Sequence, residues 1–251
     1  MLEKSPPRGA QAALRAVRLL KLFTPERPEL QLAEISDLAG LNKTTAHRLL
    51  QALHSESLLD RNHDSGAYRL GPVLMALGVQ ALSSNDLRLR ARPLLKSLAS
   101  ESGETATLEV PIEDTMLILD EVTSSHFVGA AGNVGTRWPI HATSTGKALI
   151  AFDEHGTRRI GDELCELTSH TITNRSQLEA ELDEIRRRGY AETVDELEDG
   201  FSGVGAVVRS RTGEVLGALS ICGPTQRLSA TRRCRLGAML KDAAERLQPR
   251  Y

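Results

Sequence analysis

Residues 32–71 constrain the fold more than any other part of the chain. The stretches LAEISDLAG and LNKTTAHRLLQAL both place apolar residues at helical spacing, and Gly40 stands between them as a turn residue. The second stretch begins with small polar and basic residues, and a polar segment ending in GAYRLG follows it. Two short helices joined by a tight turn, with a hairpin after them, predict a winged helix-turn-helix, a unit that places one helix in the major groove of DNA.

Capping and breaking residues bound the elements around this unit. Thr24-Pro25 ends the first helix, because proline disfavours helix in the residue before it. Gly40 is the expected C-cap of the second helix, and Asn42 is a suitable N-cap for the third. The predicted helices of this part are 10–23, 32–39, Lys43–Ser55 and a linker helix at 73–83, and the predicted strands are 58–59 and Tyr68–Leu70.

The remainder of the chain mixes helical with extended patterns and predicts an α+β domain with a mainly antiparallel sheet. Its predicted helices are 87–98, 146–152, 176–188 and 231–247, and its predicted strands are 105–111, 116–122, 127–131, 204–209 and 215–222. The chain therefore divides into a winged helix-turn-helix domain at 1–72, a linker helix at 73–85 and a C-terminal domain at 86–251.

Composition restricts the class of protein. The 251 residues are 40% hydrophobic and 25% charged, which is typical of a globular chain with two domains. No apolar run approaches the ~20 residues of a membrane span, and the N-terminus lacks the apolar core of a secretion signal. The three cysteines form no CxxC pair. We therefore expect a cytoplasmic protein with no metal site and no cofactor.

The formal net charge of −2 is unevenly distributed. The first 72 residues carry 10 lysines and arginines against 8 acidic residues, whereas the remainder carries 21 against 25. This asymmetry favours DNA contact by the N-terminal part.

Four blocks of sequence resemble the IclR family of bacterial transcriptional regulators. They are LNKTTAHRLLQAL with the following YRLG, then HATSTGKALIAF, then TITNRSQLEAELDEIRRRGYA, and finally FSGVGAVV with GALSICGP, in the family's order. The resemblance covers residues 9–246. It implies a winged helix-turn-helix, a linker helix and a GAF-like effector-binding domain. It further implies a homodimer, often a homotetramer, that binds small organic acids and represses or activates operons.

The start of the third predicted helix carries the candidate DNA-binding residues. Phosphates need cations, and base edges need donor and acceptor side chains. The candidates are Lys43, Thr44, Thr45, His47 and Arg48, with Arg61 in the wing, which is the polar turn at residues 61–66 between the two predicted strands. Whether Arg48 contacts a base or a phosphate stays open, and the threonines also suit a purely capping role. Because one small helix buries little surface, we expect a dimer on a palindromic operator. We further expect a repressor rather than an activator.

The candidate effector site begins at Ser144 and Thr145, where a predicted helix starts with small polar residues. Free amides and the helix dipole there suit a carboxylate, although an ordinary solvent-facing N-cap would look the same. The family resemblance implies the effector-binding positions Phe127, Ala130, Trp138, Ser144, Thr145, Thr193, Phe201, Gly203, Ser220 and Cys222.

Two of these positions depart from the family pattern. Several members that sense small keto acids carry an aspartate where this chain has Thr193 and a cysteine where it has Gly203. Both changes remove charge or bulk. Phe127, Trp138 and Phe201 fall at pocket-lining positions of the family, where they would add flat apolar walls, although each also suits a purely core role. The sequence therefore predicts a roomier pocket and an aromatic or otherwise larger carboxylate as the effector.

Three other interpretations compete with an effector-controlled regulator. The chain has no GxSxG, HExxH or complete phosphate loop, so an enzyme is not expected. Cys222 as a redox sensor is disfavoured, because cysteine in an apolar strand usually behaves as a small hydrophobe. A constitutive DNA-binding protein with a purely oligomerising C-terminal domain remains the alternative.

Overall fold

The computed structural model describes residues 10–124, 126, 133–154, 156, 160–161 and 163–247. The chain forms two compact units, Met1–Ser84 and Asn85–Tyr251, called here the first and second unit. Among the described residues, no helix has the length and apolar character needed to cross a membrane.

The first unit is a small helical domain with a three-stranded antiparallel sheet of order β1-β3-β2. Its elements are α1 (Gln11–Leu20), β1 (Glu29–Leu30), α2 (Leu32–Leu38), α3 (Lys43–Ser55), β2 (Leu59–Arg61), β3 (Tyr68–Leu70) and α4 (Pro72–Ser83). Its buried core consists of Leu19, Phe23, Leu30, Ile35, Leu50, Leu53, Leu59 and Tyr68. This arrangement confirms the predicted winged helix-turn-helix.

Local hydrogen bonds fix the turn between α2 and α3. Gly40 has φ +61°, a left-handed conformation that a residue with a side chain adopts only with strain. The Ser36 hydroxyl donates to the carbonyl of Leu41 at 2.6 Å. The side chain of Asn42 accepts from the amide of Thr45 at 2.8 Å and caps α3 as predicted. The angle between the two helices is therefore set by residues 36–45.

The second unit contains a six-stranded antiparallel sheet of order β6-β5-β4-β9-β8-β7. Its elements are α5 (Asp86–Ser102), β4 (Thr105–Ile112), β5 (Thr115–Val122), β6 (Arg137–Pro139), α6 (Ser144–Phe152), α7 (Arg175–Arg188), β7 (Ala191–Val194), β8 (Phe201–Arg209), β9 (Val215–Pro224) and α8 (Ala230–Leu247). The α+β class and the antiparallel sheet are thus confirmed.

The first turn of α6 lies directly on strand β8. A Cβ atom added to Gly205 would stand 2.7 Å from the backbone of Ser144 and Thr145, so only glycine permits this approach. Thr143 caps the helix by accepting from the amide of Gly146 at 3.1 Å. The sheet therefore positions the start of α6 at one fixed place.

Most predicted elements are present with bounds shifted by a few residues, but three strands are missing from the prediction. Strands β1, β6 and β7 contain only two to four residues each. Such short segments are too brief to show the alternation that identifies a strand. The strand predicted at 127–131 lies outside the described residues.

Candidate functional site

The exposed face of α3 brings the predicted DNA-binding residues together. Ala46, Leu50 and Leu53 are buried against the core, which turns the opposite face outward. The outward residues are Lys43, Thr44, His47 and Arg48, with Thr45 half-buried. This end of α3 presents two cations, two hydroxyls and one imidazole, a set able to contact phosphates and base edges.

The wing holds Arg61 in place by its own contacts. Its Nε donates to the carbonyl of Gly66 at 3.0 Å, and its guanidinium lies 5.7 Å from the ring centre of Tyr68. Neighbouring Arg69 pairs with Asp60 at 2.6 Å, and this hydrogen bond lowers the pKa of Asp60. The exposed Arg61 therefore stabilises the wing and still presents a positive charge.

A cavity of about 310 Å³ in the second unit collects the predicted effector residues. Strand register explains part of the grouping, because Gly203 stands opposite both Thr193 on β7 and Cys222 on β9. The predicted residues that line the cavity are Trp138, Ser144, Thr145, Thr193, Phe201, Gly203, Ser220 and Cys222. Phe127 and Ala130 lie outside the described residues.

Sequence reasoning missed the acidic residues of this cavity. Four of them line it: Glu109, Glu121, Glu198 and Asp199. Among the described residues that line it, none is a lysine, arginine or histidine. The sequence signal for them was a glutamate in each of two largely apolar stretches, TATLEVPI and TMLILDEV. A charged residue in a buried strand requires a partner, so each glutamate indicated a polar site.

Glu109 is buried and accepts two hydrogen bonds from threonine hydroxyls. Thr107 Oγ1 donates to Oε1 at 2.7 Å, and Thr145 Oγ1 donates to Oε2 at 2.6 Å. The Thr107 hydroxyl also lies 2.7 Å from the Ser220 hydroxyl. Burial raises the pKa of Glu109. The hydroxyls of Thr145 and Ser220, predicted to contact an effector, are thus already engaged within the protein.

Glu121 is less well satisfied. Its Oε2 atom is buried and has no hydrogen-bond partner among the described residues. Burial, together with the negative charges of Glu109 and Asp120, raises the pKa of Glu121 to about 7. Its backbone carbonyl accepts from Arg92 Nη1 of α5 at 2.6 Å, and the same nitrogen donates to Asp120 at 2.8 Å.

Helix α6, whose first residues line the cavity, also forms a buried ion pair. Lys147 of α6 is 1% exposed, and its Nζ donates to Glu196 Oε1 at 2.7 Å. Glu181 lies 3.8 Å from the same nitrogen. Burial raises the pKa of Glu196, whereas the charge of Lys147 opposes that increase. This pair holds α6 against the segment that follows β7.

The thiol of Cys222 has the environment of a core residue. Its Sγ donates to the carbonyl of Thr105 at 3.8 Å, and burial raises its pKa. A thiol that stays protonated is a poor nucleophile and a poor redox sensor. The surroundings of Cys222 therefore favour the packing role expected from the sequence.

The fold and the two sites define a class of protein: a DNA-binding transcriptional regulator with a domain for a small molecule. Two family models match, the IclR helix-turn-helix domain over residues 12–63 and the bacterial transcriptional regulator IclR C-terminal domain over residues 79–248. The chain belongs to the IclR family of bacterial transcriptional regulators, which are regulators and not enzymes.

Three similar proteins illustrate the relationship. The glycerol operon regulatory protein of Streptomyces griseus is 35% identical over 223 residues, which cover 88% of this chain and 87% of that protein. The transcriptional repressor IclR of Escherichia coli (strain K12) is 28% identical over 246 residues, covering 96% and 90%. The crystal structure of an IclR homologue from Microbacterium hydrocarbonoxydans, complexed with 4-hydroxybenzoate, has a TM-score of 0.74 at 27% identity and covers 94% and 97%.

Proposed function

We propose that the chain is a cytoplasmic repressor that binds a palindromic operator as a dimer and releases it when a small aromatic carboxylate occupies the cavity of the second unit. The cavity of about 310 Å³, carried on the same chain as a DNA-binding unit, is the observation that supports this most. Further support comes from the E. coli relative, named a repressor, and from the Microbacterium homologue, which holds 4-hydroxybenzoate.

The chemistry of the cavity supports an aromatic acid in one orientation. Trp138 and Phe201 supply apolar walls for a ring. A carboxylate fits best at the start of α6 near Ser144, where the helix dipole is positive. Glu109 stands close by through its bond to Thr145. Its raised pKa favours the uncharged form, which reduces repulsion of a bound anion.

The alternative, a constitutive DNA-binding protein, has less support. A domain that served only oligomerisation would have no reason to keep a cavity of this size lined by buried polar groups. Unfilled space and unpaired polar atoms both reduce stability.

Operator binding with and without acids tests the proposed function. DNA from upstream of the chain's own gene is titrated in a fluorescence-anisotropy assay with benzoate, cyclohexanecarboxylate or pyruvate. We expect an aromatic acid to weaken operator binding about tenfold, which corresponds to ~1.4 kcal/mol of coupling. Cyclohexanecarboxylate controls for charge and size. If none of these acids changes the operator affinity, the result would favour a constitutive DNA-binding protein.

Helix α4 supplies the surface for the proposed dimer. None of its residues is buried, and Met75 and Val79 are 68% and 64% exposed. They stand four residues apart and therefore share one face of the helix. A 12-residue helix with no buried side chain is marginal by itself, so we propose that a second copy of the chain covers this face.

Val79→Glu tests this dimer. We expect the variant to be largely monomeric in light scattering, because burying a carboxylate in the interface is costly. It should bind the operator at least tenfold more weakly, because a monomer presents only one copy of α3 to the DNA. Gln80→Glu adds the same charge at a neighbouring polar position and should stay dimeric. A dimeric Val79→Glu variant with normal operator affinity would place the interface elsewhere.

A further inference from the structure

We propose that Glu121 accepts a hydrogen bond from a hydroxyl group of the effector, so that the cavity selects hydroxylated compounds over their unsubstituted analogues. This inference rests on the proposed function, in that it takes the cavity as the effector site. It adds a ligand class and a specificity-determining residue to it.

The charge of the cavity gives the first reason. Its described lining contains four acidic residues and no basic one. An effector whose only polar group were a carboxylate would find no basic side chain in this lining, and only the start of α6 would offer it a favourable partial charge. Hydrogen-bond donors on the effector would instead convert these carboxyl groups into partners.

The hydrogen-bond inventory gives the second reason. Both oxygens of Glu109 already accept from threonine hydroxyls, and the Ser220 hydroxyl is engaged with Thr107. Glu121 differs, because its buried Oε2 has no partner within the described part of the chain. Leaving such an atom unpaired is costly, and turning the Glu121 carboxyl group toward a donor hydrogen of a ligand in the cavity removes that cost.

A hydroxyl suits this position better than an ammonium group does. Moving an ammonium group from water into a cavity costs far more than moving a hydroxyl group. A hydroxyl brings one donor hydrogen and no net charge. With a ring against the apolar walls of Trp138 and Phe201 and a carboxylate near Ser144, the hydroxyl is a ring substituent directed at Glu121.

Calorimetric titration of the full-length protein with a set of ring compounds tests the proposal. The set contains benzoate, the three hydroxybenzoates, the three methoxybenzoates, the three aminomethylbenzoates and phenol. We expect one hydroxybenzoate to bind at least ten times more tightly than benzoate. Its methoxy analogue, which has no donor hydrogen, should bind no more tightly than benzoate does. Phenol tests the hydroxyl without the carboxylate.

Variants assign the preference to Glu121. Glu121→Met removes the acceptor at similar volume and should reduce the preference for hydroxybenzoate over benzoate to less than about threefold. Glu121→Gln keeps a neutral acceptor and should retain part of it. Glu245→Gln makes the same change at an exposed residue of α8 outside the cavity lining and should leave the ratio unchanged. Thermal melts of each variant confirm that the protein is folded.

Each outcome decides the question. Equal binding of benzoate and every hydroxybenzoate overturns the role of Glu121 and leaves the proposed function intact. Tight binding of phenol without benzoate supports Glu121 and overturns the carboxylate part of the proposed function. Preference for an aminomethylbenzoate that Glu121→Met abolishes shows that the donor is an ammonium group and overturns the hydroxyl assignment. Binding of none of these compounds overturns both proposals.

Discussion

Replacing Lys147 with alanine is expected to destabilise the second unit by about 3–5 kcal/mol, the usual cost of removing one partner from a buried ion pair. Lys147 is 1% exposed, and its Nζ lies 2.7 Å from Glu196 Oε1. Without the ammonium group, Glu196 is left as a buried carboxyl group with no compensating charge. Urea unfolding followed by circular dichroism measures the change in free energy of unfolding.

Two companion variants make this result specific. Arg187→Ala removes one partner of the exposed pair between Arg187 and Glu184, and it should change stability by less than about 0.5 kcal/mol. Combining Lys147→Met with Glu196→Leu removes the charge along with its partner and should recover most of the loss. A cost below about 1 kcal/mol for Lys147→Ala would mean that Glu196 finds another partner or takes up a proton without penalty.

Arg48→Glu is expected to weaken operator binding about 100-fold, or ~2.7 kcal/mol. Arg48 is exposed on α3, as are Lys43 and His47. Reversing its charge removes an attractive contact and adds repulsion from phosphate. Anisotropy titration of operator DNA measures the loss. Arg246→Glu makes the same charge change on an exposed residue of α8 and should leave operator affinity nearly unchanged.

Salt dependence of Arg48→Ala then separates base contact from phosphate contact. If Arg48 contacts a phosphate, the slope of log affinity against log salt concentration should fall by about 1, and non-specific DNA should be affected equally. If Arg48 contacts a base, discrimination between operator and non-specific DNA should fall instead. Operator affinity that matches the unmodified protein would remove Arg48 from the interface.

Local chemistry made the DNA-binding end predictable from sequence. The bounds of α3 follow from Asn42 as its cap and from the apolar stripe that includes Ala46 and Leu50, all within a few residues of one another. The residues around the cavity come instead from β4, β5, β6, α6, β7, β8 and β9, so no spacing rule could group them. The family resemblance identified eight that the structure brings together.

Glu109 and Glu121 escaped prediction for a physical reason. A glutamate in a strand ordinarily indicates a solvent-facing position, and strand pattern alone does not reveal what closes over it. The apolar stretch around Glu109 indicates that it needs a partner, but that partner, Thr145, lies 36 residues away in the chain and only the fold brings the two together. Sequence reasoning therefore found the walls of the cavity and missed its acidic residues.

Arg92 connects helix α5 to strand β5. One guanidinium nitrogen of α5 holds both the side chain of Asp120 and the backbone carbonyl of Glu121. A ligand that displaced residue 121 would either carry α5 with it or break both hydrogen bonds. Because α5 begins three residues after α4 ends, a shift of α5 would act directly on the short segment that joins these two helices.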